Sequence, residues 1–297
     1  MPELPDLTVY IEALERRVIG EAIGAIRLAS PFVLRSVEPR VADVTGRRVR
    51  AIERLGKRIV LVLDDDLFAV IHLMVSGRFQ WKAEPGVKVP GKIGLLAIDF
   101  PRGTLLLTEA SSKKRASLHL ARGRAALDAF SRGGLEPILS TIAAFAEVLR
   151  RERHTLKRAL TDPRLFAGIG NAYSDEILHR AKMSPVTRTD RLDDSAIAKL
   201  HAATLAVLDE WTVRLRDETG DGFPAKVTAF RAEMAVHGKY GQACPACGTK
   251  VQRIVYAENE SNYCPRCQTD GKLLADRSLS RLLKENWPRT IEELEGR

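Results

Sequence analysis

The chain has 297 residues, with 47 Lys+Arg against 38 Asp+Glu and a formal net charge of +9, a length at which two or three folding units are expected. Its 45% hydrophobic and 29% charged residues suit a globular protein that buries a core, which excludes extended disorder or fibrous repeats over most of the sequence. No apolar run approaches the roughly 18 residues needed to cross a bilayer, and the acidic opening Met-Pro-Glu-Leu-Pro-Asp lacks the basic-then-apolar layout of a secretory signal. A cytoplasmic protein is expected, nucleoid-associated if bacterial. The cationic excess points to a polyanionic partner, because Lys and Arg that neutralise phosphates release condensed counterions. No basic helix carries a broad apolar face, so a membrane partner is not expected.

In chain order, Leu7, Ile11, Leu14 and Val18 recur at helical spacing after Pro2 and Pro5, and Gly20 marks the stop. Short runs rich in Val, Ile, Leu and Phe follow at 49–53, 58–63, 67–74, 93–100 and 104–108, separated by Gly-Lys, Asp-Asp-Asp, Pro-Gly and Pro-Arg-Gly turns. That spacing predicts a β-sandwich or barrel. From 141 to 215 the pattern is helical, with Asp194 or Ser195 as a cap for the last helix and Gly168-Ile169-Gly170-Asn171 opening another. Residues 216–225 resemble a linker. Four cysteines then follow, and a tail from Gln268 carries Leu279, Leu282, Leu283 and Trp287 at helical spacing. No internal repeat is present.

Cys244-x2-Cys247, sixteen residues, then Cys264-x2-Cys267 is the spacing of a four-thiolate tetrahedral site on two knuckles, with the 251–263 hairpin projecting between them. Four protein ligands leave no place for a catalytic water, so one structural Zn2+ is expected. The N-terminus carries a second signal. Removal of Met1 before the small Pro2 would leave a secondary α-amine. At the ordinary α-amino pKa of about 7.8, roughly a tenth is neutral and nucleophilic at pH 7, against about 0.04% of a free lysine. Such an amine forms Schiff bases with aldehyde-level carbons, and Glu3 beside it could do acid/base work. The same residues could equally begin a helix, with proline favoured in its first turn. Arg54-Leu55-Gly56-Lys57-Arg58 is a hairpin tip in which Lys57 is either a solvated turn residue or a cation offered to a phosphate. In Gly168-Ile169-Gly170-Asn171, Asn171 could cap a helix whose N-terminus forms an anion site, or the segment is a plain interhelical turn.

Taken together and in this order, these features resemble the formamidopyrimidine-DNA glycosylase/endonuclease VIII family. The resemblance rests on Met1-Pro2-Glu3-Leu4-Pro5-Asp6, Arg54-Leu55-Gly56-Lys57, His72-Leu73-Met74-Val75-Ser76-Gly77, Gly168 through Glu176 and the four cysteines. It implies a multi-domain α+β protein: an N-terminal helix with a β-sandwich catalytic domain at 1–133, a helix–two-turn–helix domain at 134–225, a zinc-ribbon finger at 226–268 and a C-terminal extension at 269–297, read as helical. It further implies a monomeric glycosylase and AP lyase acting on damaged DNA, duplex or distorted, with the lesion nucleotide flipped into a pocket between the main domains. Pro2 would attack C1′, Glu3 would move protons on the opening sugar, and Lys57 and Asn171 would hold flanking phosphates, with Arg54, His72 and Met74 as further contacts.

Four departures from the family pattern set further expectations. Asp6 stands where a glutamate is more usual. The finger tip reads Ala257-Glu258-Asn259-Glu260, with Asn259 roughly where an arginine normally grips phosphate and an acid on either side of it. The loop that usually reads Asp-Pro-Arg-Arg-Phe-Gly is Glu109-Ala110-Ser111-Ser112-Lys113-Lys114-Arg115, leaving Lys113 and Arg115 as its DNA-facing candidates and no aromatic wedge. Val75 also takes the place of a void-filling methionine, next to Met74. The alternative reading is a damage-binding protein on the same scaffold with little catalysis.

Overall fold

The computed structural model describes residues 1–225, 227–256, 259–274, 282 and 288–296. Its chain forms two units: Met1–Arg132 with Glu210–Thr228, and Gly133–Asp209 with Ala229–Arg297.

The first unit begins with α1 (Leu4–Val18), whose Leu7, Tyr10, Leu14 and Val18 are buried in the core as the helical spacing predicts. Two antiparallel four-stranded sheets follow, from β1 (Ala25–Leu28), β2 (Val49–Leu55), β3 (Arg58–Leu63), β4 (Leu67–His72), β5 (Gly77–Lys82), β6 (Gly94–Phe100), β7 (Gly103–Glu109) and β8 (Ser117–Arg122), with the one-turn helix α2 (Val41–Val44) between β1 and β2. One sheet runs β1-β6-β7-β5 and the other β2-β3-β4-β8. Period-2 alternation sends Ile59, Leu61 and Leu63 of β3 into the main core, while Val60 joins Phe68, Val70, Ala121 and Leu127 on the opposite face. The short helix α3 (Arg124–Asp128) contributes Leu127 to that second cluster. Strands β1, β5 and β8 were not anticipated from the sequence. Gly77 ends the β4–β5 turn because a Cβ there would stand 2.2 Å from the Leu73 carbonyl oxygen.

In the second unit, α4 (Ile142–Arg150), α5 (Leu156–Thr161) and α6 (Asn171–Arg180) precede α7 (Asp194–Thr219), and the hairpin β9 (Gln252–Tyr256)/β10 (Asn259–Tyr263) leads into α8 (Pro265–Thr269). Three local expectations are corrected. The α7 cap is Asp193, whose Oδ1 accepts the Ala196 amide at 2.7 Å, one residue before the expected Asp194. Asn171 is the first residue of α6, and Gly170 is its N-cap. The expected linker begins inside α7, which continues to Thr219, with Arg216 pairing to Glu12 at 2.7 Å and Phe223 packed on Tyr10 in the first unit. Of the tail expected to be helical, Leu279, Leu283 and Trp287 lie outside the described residues; a short helix, Ile291–Glu295, is present near the end.

Candidate active site and zinc centre

The N-terminus enters α1 through a short capping arrangement. Glu3 is the N-cap, Pro5 lies in the first turn where its missing N–H costs nothing, and the Glu3 amide donates to Asp6 Oδ2 at 3.0 Å. Asp6 therefore performs at the third helical position the reach-back that a glutamate would. This fixes the chain direction just before the helix, with Pro2 and Glu3 both buried. The α-amine at Met1 titrates below the ordinary α-amino value. Burial is the largest cause, Arg78 and Lys57 push the same way, and Glu3 and Asp6 oppose them.

Lys57 arrives from a two-residue turn. Leu55 pairs with Arg58 across β2–β3, leaving Gly56-Lys57 as the loop, and Gly56 has φ +60. A glycine at the first loop position is what a tight hairpin matching strand twist requires. His72 ends β4 opposite Arg58. Its pKa falls to about 4, chiefly through burial and then through Arg58, Lys57 and His119, so the imidazole is neutral at pH 7. Arg54 instead folds onto its own turn, donating to the Gly56 carbonyl at 2.9 Å. Met74 holds a left-handed φ of +54 in the β4–β5 turn, strain of the kind that gathers at functional sites, while Val75 is 58% exposed. Arg78, on β5, was missed by sequence reasoning. It donates to the Val75 and Gly77 carbonyls at 3.1 and 2.7 Å and so braces this turn beside the amine.

Lys113 and Arg115 are exposed on the β7–β8 loop. The loop is organised by the buried Glu109, whose Oε2 accepts the Arg115 and Ala116 amides at 2.8 and 3.0 Å, and Lys114 Nζ closes onto the Glu109 carbonyl. The first unit thus gathers the N-terminus, Glu3, Lys57, His72 and Arg78 in one neighbourhood, with Lys113 and Arg115 on a separate loop.

In the second unit, Asn171 Nδ2 donates to the Glu260 carbonyl at 2.8 Å, tying the start of α6 to the finger hairpin. The next turn of α6 makes the main attachment. Asp175 accepts Lys157 at 2.6 Å, His237 at 2.8 Å and Ser261 at 3.2 Å. Burial alone would raise its pKa, but Lys157 and His237 hold it below the usual carboxylate value. Glu176 accepts three successive amides, Ala235, Val236 and His237, at 2.8–2.9 Å. Glu260 is matched by Arg253 at 3.2 Å, so this acid of the finger is neutralised locally. Glu258 lies outside the described residues.

The four cysteine sulfurs all lie within 4.8 Å of one another, with Cys244–Cys267 at 3.9 Å and Cys247–Cys264 at 3.4 Å. A tetrahedral zinc with Zn–S near 2.3 Å sets its sulfurs about 3.8 Å apart, so the cluster fits one structural zinc. His179 of α6 has Nε2 3.3 Å from Cys244 Sγ, the outer contact that orients a ligand. Val236 and Val251 pack around Cys244 and Cys264 in a small core.

Comparison with known proteins gives the same order of parts. Residues 1–122 match the formamidopyrimidine-DNA glycosylase N-terminal domain, 134–219 the formamidopyrimidine-DNA glycosylase H2TH domain, and 241–269 the zinc finger found in FPG and IleRS. The formamidopyrimidine-DNA glycosylase of Chloroflexus aurantiacus is 34% identical over 278 residues, covering 90% of this chain and 98% of that protein. The one from Lactococcus lactis subsp. cremoris is 29% identical over 276 residues, covering 90% and 99%. Among solved structures, a complex between the Lactococcus lactis Fpg and abasic-site DNA superposes with a TM-score of 0.78 at 27% identity, covering 90% of this chain and 99% of that one. The complex of the same protein with Fapy-dG DNA gives 0.78 at 28%.

Proposed function

Because the chain belongs to the formamidopyrimidine-DNA glycosylase family, we propose that it is a base-excision repair DNA glycosylase with AP lyase activity, working through an amine at Pro2. Damaged DNA is its partner, as the relatives' complexes with Fapy-dG and abasic-site DNA suggest. The observation that carries the reading is the burial of Pro2 and Glu3 at the chain start, in surroundings where burial, Arg78 and Lys57 hold the Met1 α-amine below its ordinary value. Lowering an amine's pKa raises its neutral, nucleophilic fraction at pH 7. With Met1 removed, the Pro2 nitrogen forms a bond to C1′ as the C1′–base bond breaks and the base leaves with that electron pair. Glu3 delivers a proton to the opening sugar ring, giving an iminium. Loss of a C2′ proton then expels the 3′ phosphate and nicks the strand. Lys57 supplies charge to a phosphate beside the everted nucleotide, and neutral His72 offers an N–H. Asn171 contributes from the start of α6, and Lys113 and Arg115 contact the strand from their loop.

The division at 1–133, 134–225, 226–268 and 269–297 remains our functional assignment, with chemistry in the first segment and duplex binding in the next two. No described helix is long and apolar enough to cross a membrane. Strand cleavage on abasic duplex tests the reading. Glu3→Gln should slow base release on lesion DNA by a factor of 100 or more, the scale of lost acid/base catalysis. Equal rates for wild type and Glu3→Gln would contradict it.

A further inference from the structure

Lys57 does not end the cationic surface of the first unit. Arg58 is the next residue in β3, and β4 sets His72 directly opposite it. His119, on β8, is two residues from Ser117, the partner of His72. By strand alternation Arg58, His72 and His119 therefore share the outer face of the β2-β3-β4-β8 sheet. Arg35 closes the row at the sheet edge, where Leu34 bridges Leu118 and the Arg35 amide donates to the Leu118 carbonyl at 2.9 Å. Phe130 seats the group from above. Its carbonyl accepts Arg58 at 3.2 Å, its ring lies 5.9 Å from the Arg58 guanidinium, and it meets the His119 ring edge-on at 5.0 Å.

No carboxylate among the described residues pairs with this row, a lack it shares with Arg48, Arg78 and Arg122 of the same unit. Arg27, Arg47, Arg50, Arg102 and Arg124 of the same unit each pair with a carboxylate. Among the described residues no carboxylate lies within ion-pair distance of Arg35, Arg58 or Arg132. The groups that depress the charge of His119 after burial are Arg58 and Arg35, and for Arg58 the neighbour is Arg132. Like charges gathered without counter-charge are unfavourable in the free protein and become favourable when an anion arrives. Guanidinium is also the side chain that best matches a phosphate.

We infer that Arg58 and Arg35, with His119 between them, form a second phosphate-binding track that continues from Lys57 and carries the DNA backbone past the phosphate nearest the lesion. This rests on the glycosylase reading above. Arg58 is pre-organised by Phe130, so it loses little freedom on binding, whereas Arg35 is exposed and adjusts.

The test is the salt dependence of binding to a duplex bearing a reduced abasic site, alongside borohydride trapping by the same wild-type preparation. Each lost phosphate contact lowers the slope of log K against log salt by about 0.9. Arg35→Gln and Arg58→Gln should each lose that amount, so the gap from wild type narrows about 3-fold between 50 and 200 mM salt. Arg58→Lys should keep the wild-type slope, which a merely structural role would not predict. A neutral methylphosphonate at the contacted phosphate should weaken wild type and leave Arg58→Gln unaffected. Wild-type slopes in both Gln variants, from a protein that traps abasic DNA, would overturn the inference alone. A wild type that neither binds nor traps would overturn the glycosylase reading, and the track with it.

Discussion

His72 shows how one half-buried side chain ties stability to the site's electrostatics. Its folded-state pKa, about 4, lies below the ordinary imidazole value of about 6.5 that the unfolded chain retains. Protonation therefore favours the unfolded state. The stabilisation is full above pH 6.5 and is lost as pH falls towards 4. At about 1.4 kcal/mol per unit, the loss by pH 4.5 is roughly 2–3 kcal/mol. Arg58 from β3, Lys57 from the adjoining turn and His119 from β8 face it, and each of them also disfavours a charge on His72, so none offsets the penalty. His72→Gln should lose less opening free energy between pH 7 and 4.5 than wild type, read from hydrogen exchange of the β3 and β4 amides. Parallel losses in the two proteins would show that His72 is not the titrating group.

At the scale of elements, a few buried carboxylates decide how loops attach. Glu176 satisfies three amides at once. Glu176→Ala would strand those donors and should destabilise the 235–237 segment by about 3 kcal/mol, measured by exchange of those amides against the β3 amides as an internal control. Glu109 shapes the β7–β8 loop in the same way, and under the proposed function that loop faces the DNA. Residues 109–117 contain no aromatic, so nothing there wedges into the space of a flipped nucleotide. The resemblance implies that an arginine of the family loop reads the base opposite the lesion. A good bidentate base contact discriminates by about 1–3 kcal/mol, so its absence should relax opposite-base preference by roughly 10- to 100-fold. Weak excision of 8-oxoguanine opposite cytosine is expected, with faster reaction where extrusion is easy, such as abasic, ring-opened or single-stranded sites. Single-turnover rates on these substrates decide it, and fast excision with strong cytosine preference would mean that Arg115 or Lys113 supplies the contact.

These elements also show what was readable in advance. Runs such as 58–63 and 93–100 are apolar enough to announce strands. The Gly77-Arg78-Phe79-Gln80-Trp81-Lys82 stretch of β5 alternates with period 2, buries Phe79 and keeps Lys82 exposed; the signal was present and went unread because its apolar content is low. The α7 cap falls just before the expected position because Asp193, Asp194 and Ser195 all have capping side chains. Arg78, Glu109 and His179 were not legible locally. Their roles depend on which distant backbone group each meets, and only sheet register and helix packing set that.

For the whole molecule, metal and charge divide the work between the units. The zinc knuckles belong to the second unit, with their own small core of Val236, Val251 and cysteine side chains. One zinc per chain should bind. Structural zinc contributes on the order of 10 kcal/mol in small fingers, so chelation should abolish protection of the 244–267 amides while leaving β3, β4, β6 and β7 protected. Full protection of both regions in a metal-free protein would contradict a structural zinc.

The most direct measurement is the identity of the residue that becomes bonded to DNA. Wild-type protein incubated with abasic-site duplex and borohydride, then digested and analysed by mass spectrometry, should yield one adduct on the N-terminal peptide. It should sit on the nitrogen of Pro2, with Met1 absent, and Pro2→Gly should trap more weakly. An adduct on Lys57 or another lysine, or no adduct from protein whose Met1 has been removed, would contradict the proline-amine mechanism.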